Sequence, residues 1–320
     1  MENQYDVIVA GELNVDLILN HVSTFPQIGK EVLAHDMQLT LGSSSAIFAS
    51  NLSTLGAKVL FKGATGRDMF GDFVISELSE RGVDTAAIVR NGQTKTGVTV
   101  AINFGNDRAM VTHPGAMGYY GAEDVDSNVL RRAKHLHISS VFLQPALKRN
   151  LHTLLSKAKS HNLTTSLDTQ WDPDETWDLD LAVLLPLVDV FLPNEAEIKR
   201  LTNQPTVERA LQHIGGYSNA VVVKLGVQGS ISCLQGIQTH VPPFLNSEVV
   251  DAIGAGDSFN AGFIYRYLTG ATIPDCQRFG NLIGAISTTA SGGTGAFTSR
   301  SAVMEKAKAY FNYTENDINR

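Results

Sequence analysis

The stretch DAIGAGD (251–257), followed at once by SFNAGFIYRYLTG (258–270), decides the reading of this chain. Gly254 and Gly256 flank one alanine, so the backbone can turn tightly and come close to a ligand. The spacing predicts a helix over 257–269 that starts at Asp257 or Ser258. Its first amides have no partner inside the helix, and with the positive end of the dipole they make an anion site. Amides around Gly254, Ala255 and Gly256 would hold a moving phosphate, while the neighbouring Asp257 takes a proton from the attacking hydroxyl. The plainer alternative is a glycine turn capped by an aspartate at a helix start.

Working outward, apolar strand runs occur at 5–11, 135–143, 163–169, 188–193 and 220–226, and a strand-like SEVV precedes residue 251. Helix-patterned segments are predicted over 122–134, 146–161, 195–202, 206–215, 275–291 and 299–311. This alternation predicts an α/β protein with a mostly parallel central sheet and helices on both faces. Residues 12–40 and 94–112 break the rhythm with short alternating strands and no helix between them, which reads as a small antiparallel sheet covering a site. With no linker, repeat or low-complexity tract, one compact domain over 1–320 is the simplest organisation, its lid formed by about 12–40 and 94–118.

Composition narrows the function classes. Net charge is −7 and no basic cluster offsets it, so neither nucleic acid nor an anionic membrane is an expected partner. No run of about 18 apolar residues exists to span a membrane. Cys233 and Cys276 are far apart and lack metal-ligand spacing, which fits a reducing, cytoplasmic setting. The chain has no Gly-x-x-x-x-Gly-Lys-[Ser/Thr], and its first strand ends in GELNVD rather than in a dinucleotide fingerprint. His135 and His137 read as packing and surface residues rather than ligands. Trp171 and Trp177 read as a packed loop, with a sugar-site tryptophan as the alternative.

Six segments, in order, resemble the ribokinase-like (PfkB) carbohydrate kinases. They are GELNVD (11–16), LGSSSAIFASNLSTLG (41–56), GATGRDMFG (63–71), NEAE (194–197), KLGVQG (224–229) and DAIGAGD (251–257). The resemblance implies a three-layer ribokinase-like fold with a small β-sheet lid, and an ATP- and Mg2+-dependent sugar kinase. It implies Asp257 as catalytic base and Gly254, Ala255 and Gly256 as the anion hole. Asn14, Asp16, Gly42, Ser43 and Asp257 would bind the sugar. Asn194, Lys224, Gly226, Gly229 and Asn281 would meet the nucleotide. Glu197 would face Mg2+ through water, and Asp251 with the carbonyl of Ile253 would help hold K+. Asn194 and Glu197 also read as a plain capping box, and both roles can hold at once. A homodimer paired through the lids is implied as well. The other readings are a nucleoside kinase of the same fold and a catalytically idle sugar-binding relative.

The chain departs from that pattern where substrates are selected. Many members have a second glycine and an asparagine where this chain has Ser43 and Ile47. Several have Asp-Pro-Asn with a nearby Arg, where this chain reads Asp168-Thr-Gln-Trp-Asp-Pro. An acidic sugar would lack that cation, so a neutral sugar or a nucleoside is favoured.

Overall fold

The computed structural model describes residues 4–104 and 107–314; residues 105 and 106 of the predicted lid lie outside them. Within these residues the strands, in chain order, are β1 (Tyr5–Ala10), β2 (Asn14–Asn20), β3 (Asp36–Leu41), β4 (Val59–Lys62), β5 (Ala64–Gly66), β6 (Val89–Asn91) and β7 (Gly97–Phe104), then β8 (Asp107–His113), β9 (Ala133–Ser139), β10 (Thr164–Asp168), β11 (Val190–Phe191), β12 (Ala220–Lys224), β13 (Ser230–Leu234) and β14 (Ile237–Val241). The main sheet has the order β14-β13-β12-β11-β10-β9-β1-β4. From β4 to β12 every neighbouring pair is parallel, and β13 and β14 extend the sheet as an antiparallel edge.

Alternate residues of β1 feed two cores. Val7 and Val9 pack with Phe48, Leu52, Val74 and Phe263 from helices Ser44–Thr54, Met69–Glu80 and Ala255–Leu268. Ile8 and Ala10 pack with Leu151, Leu154 and Leu211 on the opposite face. Burial on both faces is why this strand reads as an unbroken apolar run. The expected α/β fold, with a mostly parallel sheet between helical layers and a separate small sheet, is what forms. The parallel strands end on one side, and residues 11–16, 168–170, 194, 224 and the 251–257 loop converge there, as ligand loops do in such sheets.

Several local expectations need correction. The small sheet, ordered β3-β2-β7-β8, is mixed, because β2 and β7 pair in parallel. Two helices lie between those strands in the chain, and such a crossover returns a strand in its original direction. The helix expected over 122–134 is a 3-10 turn at Ala122–Asp124 and one helical turn at Ser127–Leu130. Asp126 accepts from the amides of Asn128 and Val129, so it caps a helix start instead of continuing one. The segment over 146–161 breaks at Asn150 into Pro145–Arg149 and Leu151–Ser160. SEVV forms no strand; Val249 and Val250 are exposed on a loop. Strands β4, β13 and β14 escaped the pattern reading.

His135 and His137 are both buried, so neither is a surface residue. The Ser166 hydroxyl bonds His135 Nε2 and His137 Nδ1, each at 2.7 Å, and His137 stacks on Phe48. Burial pushes His135 down to about 3, so it is a neutral packing residue.

Ser43, standing where many relatives have glycine, keeps a glycine-like backbone, with φ 70° and ψ 119°. Such a conformation costs a non-glycine residue on the order of 1–3 kcal/mol. Its hydroxyl offsets part of this by accepting from the Ala46 amide (3.0 Å) and donating to the Glu12 carbonyl (2.6 Å). Ser43→Ala keeps the strain and loses the cap, so thermal melting should show a loss of about 1–2 kcal/mol. Ser43→Gly loses the cap but relieves the strain and should stay within about 1 kcal/mol of the parent. A glycine variant less stable than the alanine variant would contradict this account.

Candidate active site

The 251–257 loop is held from behind. Asp251 accepts from the Ile253 amide (2.9 Å) and, with its other oxygen, from the Gly292 amide (2.9 Å), which laces two loops together. Gly254 adopts φ 72°, and a Cβ there would lie 2.5 Å from the Gly293 Cα. Only glycine fits that contact. The helix starts at Ala255, two residues earlier than expected, because Gly254 supplies the left-handed turn that opens it. The amides of Gly256 and Asp257 have no hydrogen-bond partner among the described residues. Asp257 occupies the same first turn.

Asp257 is 7% exposed. Its Oδ1 accepts from Gln170 Nε2 at 2.9 Å, and the Ser44 hydroxyl beside the same carboxylate favours its charged form. Burial, and next the charge of Asp168, push Asp257 up to about 7, a value suited to a base working near neutral pH. Asp168, fully buried at the end of β10, accepts from Lys224 Nζ (2.7 Å), Gln170 Nε2 (3.0 Å) and Asn260 Nδ2. Burial opposes the charge on Lys224, but Asp168 and then Glu197 outweigh it and raise the amine above its ordinary value. The Lys224 amine also lies close to where a Gly256 side chain would begin, at 3.8 Å.

Asn194 and Glu197 form the capping box read from the sequence: the Glu197 amide donates to Asn194 Oδ1 (2.9 Å) and the Asn194 amide to Glu197 Oε2 (2.9 Å). An isolated bridge sets Asn194 beside Lys224. Burial, and then Asp168, push Glu197 up to about 7. Next to these groups lies a cavity of about 390 Å3. Gly226, Gly229, Phe244, Leu245, Gly256 and Asn281 are part of its lining. Gly229 has φ 86°, and a Cβ on it would strike the Val241 carbonyl at 2.2 Å. Asn281 donates to the carbonyls of Val241 (3.2 Å) and Pro242 (3.0 Å), fixing the strand end that frames the cavity.

Asn14 Nδ2 donates to Asp16 Oδ1 (3.0 Å) and to Thr99 Oγ1 (3.1 Å). A Cβ on Gly42 would fall 2.3 Å from Asp16 Oδ1, so the glycine lets this carboxylate approach the backbone. Ile47 is buried, and its side chain lies within 3.2 Å of where a Gly254 Cβ would stand. It packs against Gly254 and Gly293, between the two laced loops.

Glu12, Ser44, Thr99, Asp168, Gln170 and Asn260 were not picked out as site residues. Asp168 carried a usable signal, a carboxylate at the C-terminal end of a buried strand. Gln170 stood out only as a departure from the family. Glu12 is buried and accepts from the Ser45 amide (3.1 Å) and the Ser45 hydroxyl. Trp171 and Trp177 pack edge to face at 4.9 Å, as a packed loop should.

The model of the pfkB family carbohydrate kinases matches residues 4–300, and the chain belongs to that family. A protein described as an uncharacterized sugar kinase from Archaeoglobus fulgidus is 30% identical over 237 residues, covering 73% of this chain and 92% of its own. A deoxyribokinase from Salmonella typhi is 25% identical over 319 residues, 97% of this chain and 100% of its own. A solved Escherichia coli structure, provisionally named ribokinase II and in complex with ATP and Mg2+, superposes with a TM-score of 0.80 at 25% identity, over 94% of this chain and 99% of its own. The protein is therefore a sugar kinase, a phosphotransferase acting on a sugar hydroxyl.

Burial pushes Glu12 up from 4.5 to about 7. Between those values the unfolded chain releases a proton that the folded chain keeps, so stability from this group is lost as pH rises through that window. Glu12→Gln should melt like the parent near pH 4 and be more stable at pH 8, by on the order of 3 kcal/mol. A lower melting temperature at pH 8 would show that the charged form is the favoured one.

Proposed function

We propose that this kinase phosphorylates a neutral sugar with ATP and Mg2+, using Asp257 as general base and the amides of residues 254–257 as the anion hole. One observation carries the reading: a buried carboxylate lies in the first turn of a helix whose own Gly256 and Asp257 amides are unpartnered among the described residues. Such amides stabilise charge as it develops on a transferring phosphate, and the carboxylate takes the hydroxyl proton.

The cavity suits ATP. Phe244, Leu245 and Val249 supply apolar walls for a base, and Ala255 and Gly256 bring it to the anion loop, where phosphates would lie. Gly226, Gly229 and Asn281 shape the nucleotide side and Lys224 the phosphate side. Magnesium, when bound, offsets the charge of the phosphates. Asn194 and Glu197 already cap a helix with their polar atoms, so they would reach the ion through its waters, which magnesium retains. Potassium held by Asp251 and the Ile253 carbonyl would brace the two laced loops.

Asn14, Asp16, Gly42 and Ser43 form the acceptor side, with Thr99 added by the geometry. Asp16, Asp257 and Asp168 make this region negative, and Lys224, the cation among them, is already paired with Asp168. An acidic sugar would meet repulsion there. The small sheet acts as a lid that excludes water. Met37, Met110 and Val111 are exposed on it, which supports pairing with a second copy. Two buried, unpaired cysteines suit the cytoplasm.

Asp257→Asn should lose at least about 10²–10⁴-fold in kcat while ATP binding persists. Near-normal turnover would remove Asp257 from the chemistry. In an ADP-release panel of neutral sugars, nucleosides and acidic sugars, run with and without K+, a neutral sugar should give the highest kcat/KM. An acidic sugar or a nucleoside ranking first would overturn the substrate assignment.

A further inference from the structure

Gln170 sits between the two aspartates at the centre of the site. Its side-chain nitrogen lies 3.0 Å from Asp168 Oδ2 and 2.9 Å from Asp257 Oδ1. A primary amide has two N–H donors, so each carboxylate can receive one. The Gln170 backbone amide also donates to Asp168 Oδ1, at 3.3 Å. Asp168 is itself fixed from two other elements, by Lys224 at the end of β12 and by Asn260 on helix Ala255–Leu268. The glutamine therefore links an immobilised anchor to the proposed base.

The loop that presents Gln170 is built under strain. Gln170 has φ 58°, and Glu175 and Trp177 in the same loop have φ 51° and 52°. Each such non-glycine residue costs on the order of 1 kcal/mol or more and persists only where its surroundings over-determine it. Here they do. Asp172, 2% exposed, accepts from the Asp174 amide (3.0 Å), the Thr176 hydroxyl (2.9 Å) and the Trp177 amide (2.7 Å). Trp177 is buried edge to face between Phe142 and Trp171. A loop held this firmly gives Gln170 one place to be.

We propose that Gln170 is a positioning residue for the base: its amide bridges Asp168 and Asp257, orients the Asp257 carboxylate toward the acceptor hydroxyl, and separates two like charges that would otherwise repel. The inference rests on the reading of Asp257 as the base. The charged and titratable groups acting on Asp257 are Asp168 from β10, Lys224 from β12 and Glu12 after β1, and Asp257 in turn acts on Glu197 from helix Glu195–Thr202. The Ser44 hydroxyl, from helix Ser44–Thr54, favours its charged form. Gln170 differs from all but Ser44 in being neutral, so it favours ionised Asp257 at every pH. A filler side chain of the same length would pack equally well but could not do this.

The test is Gln170→Met, which keeps length and removes the donors. Steady-state rates are measured from pH 5.5 to 9 at saturating sugar and ATP, with a thermal melt of each variant. The expected result is a fall in kcat of about 10- to 100-fold at pH 7, with the KM for ATP within about twofold. The acidic limb of the kcat profile should move up by about one pH unit, so part of the loss returns at high pH. An equal loss at every pH with the limb unmoved, or no loss, overturns the proposal. Gln170→Glu places a third carboxylate at the same length and carries the test should the methionine variant fail to fold; its limb should move further up, and an unmoved limb overturns the proposal equally. Asp257→Asn separates the two levels. A fully active Asp257→Asn sinks the base assignment and this inference with it. An inactive Asp257→Asn beside an unmoved limb in Gln170→Met sinks this inference alone.

Discussion

A buried ion pair between Lys224 and Asp168, at 2.7 Å, is the interaction on which the site depends. It joins the ends of β12 and β10 across the intervening β11. Removing one partner of such a pair strands a charge in the interior, at about 3–5 kcal/mol. The other polar groups are arranged around it. Asn260 reaches in from the helix of the anion loop, Asn194 bridges to the lysine's own backbone, and Gln170 carries the contact onward to Asp257. Burial pushes Glu197 and Asp257 up to about 7, and the charge of Asp168 adds to that rise while Lys224 opposes it.

Much of this was legible in the sequence, and what was not has identifiable causes. DAIGAGD announced itself because its glycines are needed by the backbone: Gly254 is left-handed and presses on Gly293. The capping box at Asn194 and Glu197 was legible because its partners lie three residues apart. The strands of the parallel core showed as apolar runs because both faces are buried. By contrast, Gln170 meets Asp257 across 87 positions of chain, and no local pattern encodes such a meeting. Thr99 meets Asn14 through its parallel register with Asp16, which only the folded small sheet creates. The aspartates of 122–134 were misread as helical because amphipathic spacing does not register that Asp126 would rather cap.

The departures from the family pattern are absorbed close to where they occur. Ser43 takes a glycine's backbone and uses its hydroxyl to bind both helix and β1 exit. Ile47 turns away from solvent and supports the two glycine loops from below. Ser43 thus adds polar contacts where the family pattern has a glycine, and Ile47 adds packing where it has an asparagine.

Four chain segments tie the small sheet to the main body, and two of them differ in character. At the root of β7, Thr96 is clasped by Asp68, which accepts from its amide (2.9 Å) and its hydroxyl (2.7 Å) while also capping helix Met69–Glu80. At the root of β3 the chain leaves Leu41 through Gly42 and Ser43 and enters helix Ser44–Thr54 within three residues, which brings Ser44 near Asp257. Were the small sheet to tilt about Thr96, the movement would reach Ser44, so under the proposed reading the cover over the acceptor and the surroundings of Asp257 would be coupled mechanically.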